Sequence, residues 1–377
     1  MLADSGLDLA SLKPAESTWV PPVPFDQRFG WQAFYPEDPK TGIQISAASY
    51  RGKPVYFHVI GPWSRPWRMQ TQSRTRARVV RDTTFVSGGF VFLLVSALFA
   101  RRNLRLGRGD RRGAIRISAF LFFAAATSSL LLAHHVLDLG AEWQIFISAV
   151  GQALFLSSFL WLLYLALEPF VRRQWPELLI SWSRLLSGKF RDPLIGCDVL
   201  VGILAGSFIG VGIHVSNALP AWFNVPGQTT IPPNPAALGS VADTLGVLVG
   251  SLAAATFPAF SITFALLLAR TLLRNYWLSV VATGTLMFLI NLGGENFALE
   301  APFVLFITLV MMFVLLRQGM FALAVTLFTM MLLNSFPITV DLSKWYAAQS
   351  LFMFAVLLAL LVYGLRVATG NKPLLAE

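Results

Sequence analysis

Residues 143–167 read WQIFISAVGQALFLSSFLWLLYLAL, a run without one charged side chain. At a rise of about 1.5 Å per residue, such a helix is longer than the roughly 30 Å hydrocarbon core of a bilayer. Apolar residues take every face of it, which suits lipid or a deep interior and not a water-facing surface. Working outward from it, comparable spans lie near Thr84–Ala100, Ile117–Leu139, Cys197–Leu219 and Val241–Arg270. Four more lie near Tyr276–Leu292, Ala301–Leu316, Met320–Phe336 and Trp345–Leu365, of which the second and third are closely spaced. The expected fold is therefore all-α and polytopic, with about nine transmembrane helices and a small N-terminal extracytoplasmic segment containing a β-hairpin.

Composition agrees. Of 377 residues, 55% are hydrophobic and 13% charged, whereas a soluble domain carries about a quarter charged residues. So little polar surface cannot cover a globule in water, but lipid tolerates an apolar exterior. The net charge of +10 belongs to loops, where Lys and Arg set topology and meet anionic lipid. No aromatic-interleaved basic stretch or zinc spacing points to nucleic acid. The single cysteine, Cys197, excludes an intramolecular disulfide or a cysteine metal cluster and reads as a small buried residue. Residues 1–14 have neither a basic nor an apolar region of the kind a signal peptide needs.

Loop charge gives the orientation. Arg101, Arg102, Arg105, Arg108, Arg111, Arg112 and Arg116 crowd one loop, and Arg172, Arg173, Arg184, Lys189 and Arg191 crowd another. Arg270 with Arg274, and then Arg317, follow at two-span intervals. The alternate loops hold Asp138, Glu142, Asp243, Glu295, Glu300 and Asp341, with Lys344 their sole cation. The positive-inside rule then places the basic loops and the C-terminus in the cytoplasm of a bacterial inner membrane, and the N-terminal segment outside. Arg65, Arg68, Arg74, Arg76, Arg78 and Arg81 run against this rule beside the first span. An upstream helix, absent from the chain, would resolve the conflict, so the chain reads as a fragment.

Four regions follow: 1–82, an extracytoplasmic segment ending in a basic juxtamembrane stretch; 83–167, helices 1–3; 168–195, a cytoplasmic amphipathic segment; and 196–377, helices 4–9 with a short tail. In the first, Ile43–Tyr50 and Val55–Ile60 alternate around Arg51-Gly52-Lys53-Pro54, which predicts a hairpin. In the third, Trp175, Leu178, Leu179, Trp182, Leu185 and Leu186 share one helical face. Pro176 suits the first turn and Gly188 the C-cap. Such a helix is expected to lie on the cytoplasmic leaflet with its tryptophans in the interface, the alternative support being a soluble partner.

Chemistry is sparse. No Gly-rich loop, catalytic-loop His-Arg-Asp or metal-binding Asp-Phe-Gly is present, nor a P-loop. Gly202–Gly212 lies in an apolar helix, where glycines serve close packing. His134, His135 and His214 fall at similar depth near outer helix ends, a placement from which haem or a metal could be held, against the plainer reading of hydrogen bonds to backbone or water. Glu142 beside the first two could complete a small outer polar site. His58 sits in the expected hairpin. Gln152 and Asn291 are deep amides suited to interhelical hydrogen bonds. The proline-rich loop 220–240, with Pro226, Pro232, Pro233 and Pro235, reads as a semi-rigid outer connection. No catalytic residue, cofactor or metal is assigned.

Two charged stretches carry a resemblance. They are ARRNLRLGRGDRRGA at 100–114 and YLALEPFVRR at 164–173, continued by Trp175-Pro176-Glu177, Ile180–Leu186 and Phe190-Arg191-Asp192-Pro193-Leu194. With Tyr50–Val55 and Gly61–Pro66, they resemble the C-terminal membrane region of large bacterial serine/threonine protein kinases of the acidobacterial type. The resemblance spans roughly residues 3–317. In that family a cytoplasmic kinase domain precedes a first membrane helix; neither is in this chain, so no kinase site carries over. The resemblance implies the sensory or anchoring half of a kinase-type signalling protein, with a kinase domain or signalling protein as partner. The signalling reading comes from the resemblance alone. The alternatives are a small-molecule transporter and a haem- or quinone-linked electron-transfer protein.

Overall fold

In the computed structural model the chain divides into two compact units, residues 1–83 and 84–377. The structure describes residues 12–17, 19–35, 38–62, 64, 76–222, 235–292 and 297–370, without the side chains of 38–39, 76–82, 84–85, 220–221, 235 and 297–299. Arg65, Arg68, Arg74, Pro226, Pro232, Pro233 and Glu295 lie outside the described residues, as do the side chains of Arg76, Arg78 and Arg81.

The first unit is an antiparallel sheet ordered β1 (Lys13–Pro14), β2 (Gln27–Tyr35), β3 (Asp38–Tyr50) and β4 (Lys53–Ile60). The expected hairpin is β3–β4, but its turn is only Arg51-Gly52, both at positive φ (51° and 75°). That is the two-residue geometry whose twist matches paired strands. Lys53 and Pro54, read as turn, are already paired with Tyr50 and Ser49. The sequence reading missed β2. Its Trp31 and Ala33 pair with Ile45 and Ile43 and share the small core around Ile45.

The second unit is helical: α1 (Arg76–Arg105), α2 (Arg111–Leu131), α3 (Leu139–Gln174), a 3-10 turn Pro176–Leu179, α4 (Ile180–Leu186) and α5 (Pro193–Trp222). There follow α6 (Val241–Leu273), α7 (Tyr276–Asn291), α8 (Phe297–Arg317), α9 (Met320–Ser335) and α10 (Ala347–Ala368). Side-chain caps start several of them. Asp110 accepts from the Gly113 N–H, Asp138 from Gly140 and Ala141, and Ser240 forms a reciprocal capping box with Asp243. Phe260 and Phe264 on α6 are fully buried and sit near the middle of the packing.

The glycine run on α5 serves close packing between apolar helices. A Cβ at Gly206 would stand 2.5 Å from the Thr326 carbonyl oxygen, and Gly202 and Gly210 would meet Val325 and Leu333. Removing three side chains brings α5 onto α9 at near-backbone distance, where dispersion is the main attraction available between apolar helices. Ser128 of α2 donates to the Gly246 carbonyl of α6 at 2.8 Å, tying a second helix pair.

Six helices are long and apolar enough to cross a membrane, namely α2, α3, α5, α6, α8 from Glu300, and α10. The expected nine reduces to six on that measure among the described residues. α7 and α9 have 16 residues each, about 24 Å, because Leu292 and Phe336 turn extended where hydropathy alone runs on. Two further readings change. α3 does not stop at Leu167 but continues through Pro169 to Gln174, and Cys197 is exposed rather than buried, since its neighbours Gly196 and Asp198 hold the inward-facing positions of that turn.

Candidate functional site at the arginine-rich end of the bundle

The α1–α2, α3–α5, α6–α7 and α8–α9 connections and the end of α10 carry the arginines, and contacts bring several together. α1 closes on Gly107 at φ 65°, with the Arg108 N–H donating to the Asn103 carbonyl at 2.9 Å. That closure leaves the Asn103 side chain, only 3% exposed, pointing into the bundle. Its Nδ2 donates to the carbonyls of Leu165 at 2.9 Å and Ala166 at 3.2 Å on α3. The reason lies four residues on. Pro169 has no N–H, so the Leu165 carbonyl loses its helical donor and an amide from another helix replaces it.

Asp110 works in two directions. One carboxylate oxygen caps α2, and the other accepts from the Tyr164 hydroxyl at 3.3 Å. Gly113 fits beneath both, because a Cβ there would collide with the Asp110 carboxylate and the Tyr164 hydroxyl. Next along α3, Glu168 is 5% exposed and accepts from Arg172 Nε at 2.7 Å. The two charged stretches of the sequence are thereby locked to each other through Asn103, Asp110 and Tyr164, while Glu168 braces the second stretch internally. None of these four was singled out from sequence. The available signals were a lone amide within an arginine run and a proline four residues after Leu165.

The amphipathic segment docks on the same end. It is not one helix from Pro176 to Leu186, since Leu179 at φ −111° divides a 3-10 turn from a seven-residue α4. Leu178, Leu179 and Trp182 are buried at 6%, 4% and 4% exposure, while Trp175, Leu185 and Leu186 are half-buried. The Trp182 ring lies 5.0 Å from Phe260 on α6 and 6.0 Å from Phe321 on α9. Trp175 meets Tyr276 at 6.2 Å. Trp182 is thus covered by the protein's own helices and not by lipid, because α6 and α9 leave an aromatic-lined seat at this level. Gly319 permits the approach: at φ 102°, its absent Cβ would stand 3.0 Å from the Leu178 carbonyl oxygen. Gly188, at φ 82°, closes α4 as expected of a C-cap. Arg116 Nη1 donates to the Leu186 carbonyl at 2.6 Å, joining α2 to the segment.

The electrostatics are uneven. Arg101, Arg102, Arg105, Arg108, Arg111, Arg112 and Arg173 are exposed and make no ion pair among the described residues. Arg184 pairs with Asp192. Desolvation pushes the Asp192 carboxyl upward, but hydrogen bonds from Arg184 and the Leu194 N–H outweigh it and hold the group below its ordinary value. The surface therefore offers unneutralised guanidinium groups set on a buried, hydrogen-bonded frame. Such a surface can attract phosphate or carboxylate groups.

The histidines do not converge. His135 binds Glu142 at 2.8 Å and the Leu130 carbonyl at 2.9 Å, and His214 contacts the Leu333 carbonyl at 3.1 Å. His134 is exposed, and His58 stacks on Trp19 in the sheet. The described residues hold no group of three or more His, Cys, Asp or Glu placed to share a metal ion. Gln152 is exposed, and Asn291 bonds to Met287 of its own helix, so neither bridges helices as the sequence suggested. No protein-family model, curated protein or solved structure matches the chain.

Proposed function

We propose that the chain is a non-catalytic multi-pass membrane module, the sensory or anchoring half of a serine/threonine-kinase-type signalling protein. In this reading it crosses a bacterial inner membrane nine times with the arginine-rich end in the cytoplasm. The 16-residue α7 and α9 then cross with the local bilayer thinning that short spans draw. The observation that carries the proposal is the buried tie between the two charged stretches. Asn103 on Leu165, and Asp110 on Tyr164, couple α1, α2 and α3 through directional hydrogen bonds. A shift of any of these helices is then passed to the exposed arginines instead of being absorbed by a loose loop. The kinase domain or signalling partner comes from the family resemblance, and anionic lipid is the second expected contact of the same end.

A photo-crosslinking residue at Leu106 or Arg112, both exposed, tests this in the native bacterium. The expected product is a cross-link to a protein with serine/threonine kinase activity, whose output changes in Asn103→Ala. Cross-links to lipid alone, or metal-dependent ATP turnover by the purified chain, would defeat the proposal. The transport alternative draws less support. The buried hydroxyls of Thr256, Thr263, Thr283 and Thr326 donate to carbonyls four residues back on their own helices, so their protons are already committed. The electron-transfer alternative needs converging histidines, and His135 and His214 have separate partners.

A further inference from the structure

We infer that α10 carries a discrete site for one anionic phospholipid, with the phosphate held between Arg191 and Arg366. A groove of about 820 Å³ runs along α10, lined by Leu358, Ala359, Val362, Tyr363 and Arg366, with Arg191 across from them. The α10 residues recur at three- and four-residue spacing, so they form one stripe. Leu358 precedes Arg366 by two turns, about 12 Å along the axis. The stripe is thus apolar over acyl-chain depth and cationic at its end.

Three observations select the occupant. First, α10 is a membrane-length apolar helix only 17% buried over its most apolar window, the least covered of the six. Its outer surface therefore meets lipid in any membrane setting. Second, neither Arg191 nor Arg366 has a carboxylate partner among the described residues, although Arg184 in the same connection is paired with Asp192. Third, the backbone beside Arg191 is anchored to α10: the Tyr363 hydroxyl donates to the carbonyl of the preceding residue, Phe190. The backbone at Gly196 lies against that of Gly364 and Ala368, which brings the start of α5 to the end of α10. Two exposed cations at the end of an apolar groove match a phosphodiester above acyl chains. A zwitterionic headgroup would bring its own cation into that space.

The inference rests on the membrane reading, and the test separates the two. The full chain, purified in a mild non-ionic detergent, is titrated with phosphatidylglycerol or phosphatidylcholine and read by native mass spectrometry. One phosphatidylglycerol should be retained with at least tenfold preference. The Arg191→Gln/Arg366→Gln variant should lose about 30-fold in affinity for it, while Arg317→Gln, an exposed arginine elsewhere, keeps it. Ala359→Trp, which fills the groove and spares both arginines, should also displace the lipid. Thermal unfolding of each variant near the wild-type midpoint checks the fold. Equal retention of phosphatidylcholine, unchanged binding in both variants, displacement by millimolar inorganic phosphate, or a dimer lost in the double variant would each overturn the lipid site. A chain that stays soluble and monodisperse without detergent would instead overturn the membrane reading.

Discussion

At the residue scale, Asn103 and Pro169 form one unit although 66 positions separate them. Proline withdraws the donor that the Leu165 carbonyl needs, and Asn103 supplies another. Asn103→Ala should lower unfolding stability in detergent by about 1 kcal/mol, the range of buried polar interactions between membrane helices. Pro169→Ala restores an N–H, so in that background Asn103→Ala should cost markedly less. Additive losses in the double-mutant cycle would show that the amide does not serve that carbonyl. His135 makes a pH prediction. The hydrogen bond to Glu142 comes first among the causes that raise its pKa above the ordinary 6.5. A raised folded value means that the pair's contribution is complete below about 6.5 and is lost as pH climbs through the folded value. Imidazole NMR should find His135 titrating above 6.5, and Glu142→Gln should bring it down. A His135 titration unchanged by Glu142→Gln would contradict the pairing.

At the scale of elements, the segment Pro176–Leu186 behaves as a plug in the bundle's own surface. Its apolar stripe was legible from spacing, but the stripe says only that one face is covered and not by what. The aromatic seat of Phe260 and Phe321 supplies the answer for Trp182. In a variant keeping Trp182 as the only tryptophan, brominated lipid should quench its fluorescence weakly. Trp182→Ala should cost about 3 kcal/mol or more through cavity formation. Strong quenching together with a loss under 1 kcal/mol would mean that the indole faces lipid after all. The α5 glycines were legible too, as a packing surface, though the partner α9 was not. Residues 202 and 325 meet because the chain reverses through three intervening helices, a separation that no local pattern encodes.

At the scale of the whole molecule, the alternation of basic and acidic loops has a structural counterpart. Asn103 to Leu165, Arg116 to Leu186, Trp175 to Tyr276, Gly319 to Leu178 and Tyr363 to Phe190 all join residues at one end. Ser128 to Gly246, His214 to Leu333 and Ser350 to Pro337 join residues toward the other. If the arginine-rich end is cytoplasmic, a cysteine at Ser49 should react with an impermeant thiol reagent in intact spheroplasts, and one at Ala376 only after permeabilisation. Both are to be made in a Cys197→Ser background, because Cys197 is exposed. The opposite pattern would invert the topology.

The sequence by itself determined that the chain is built of long apolar helices and that the arginines of the connections group together. Apolar runs near or beyond bilayer length and arginines confined to alternate connections are one-dimensional properties, and hydrophobic transfer and loop charge act on them locally. It also determined the β3–β4 hairpin, since period-2 alternation and a Gly-containing turn are local. Tertiary structure alone decided where helices stop, what covers Trp182, and which polar groups form the frame of the arginine-rich end. Asn103, Tyr164 and Glu168 are ordinary polar residues in the sequence. They become informative only when folding brings a proline-freed carbonyl, a capping carboxylate and a buried glutamate within hydrogen-bond reach, because the cost of an unsatisfied polar group depends on its surroundings and not on its neighbours in the chain.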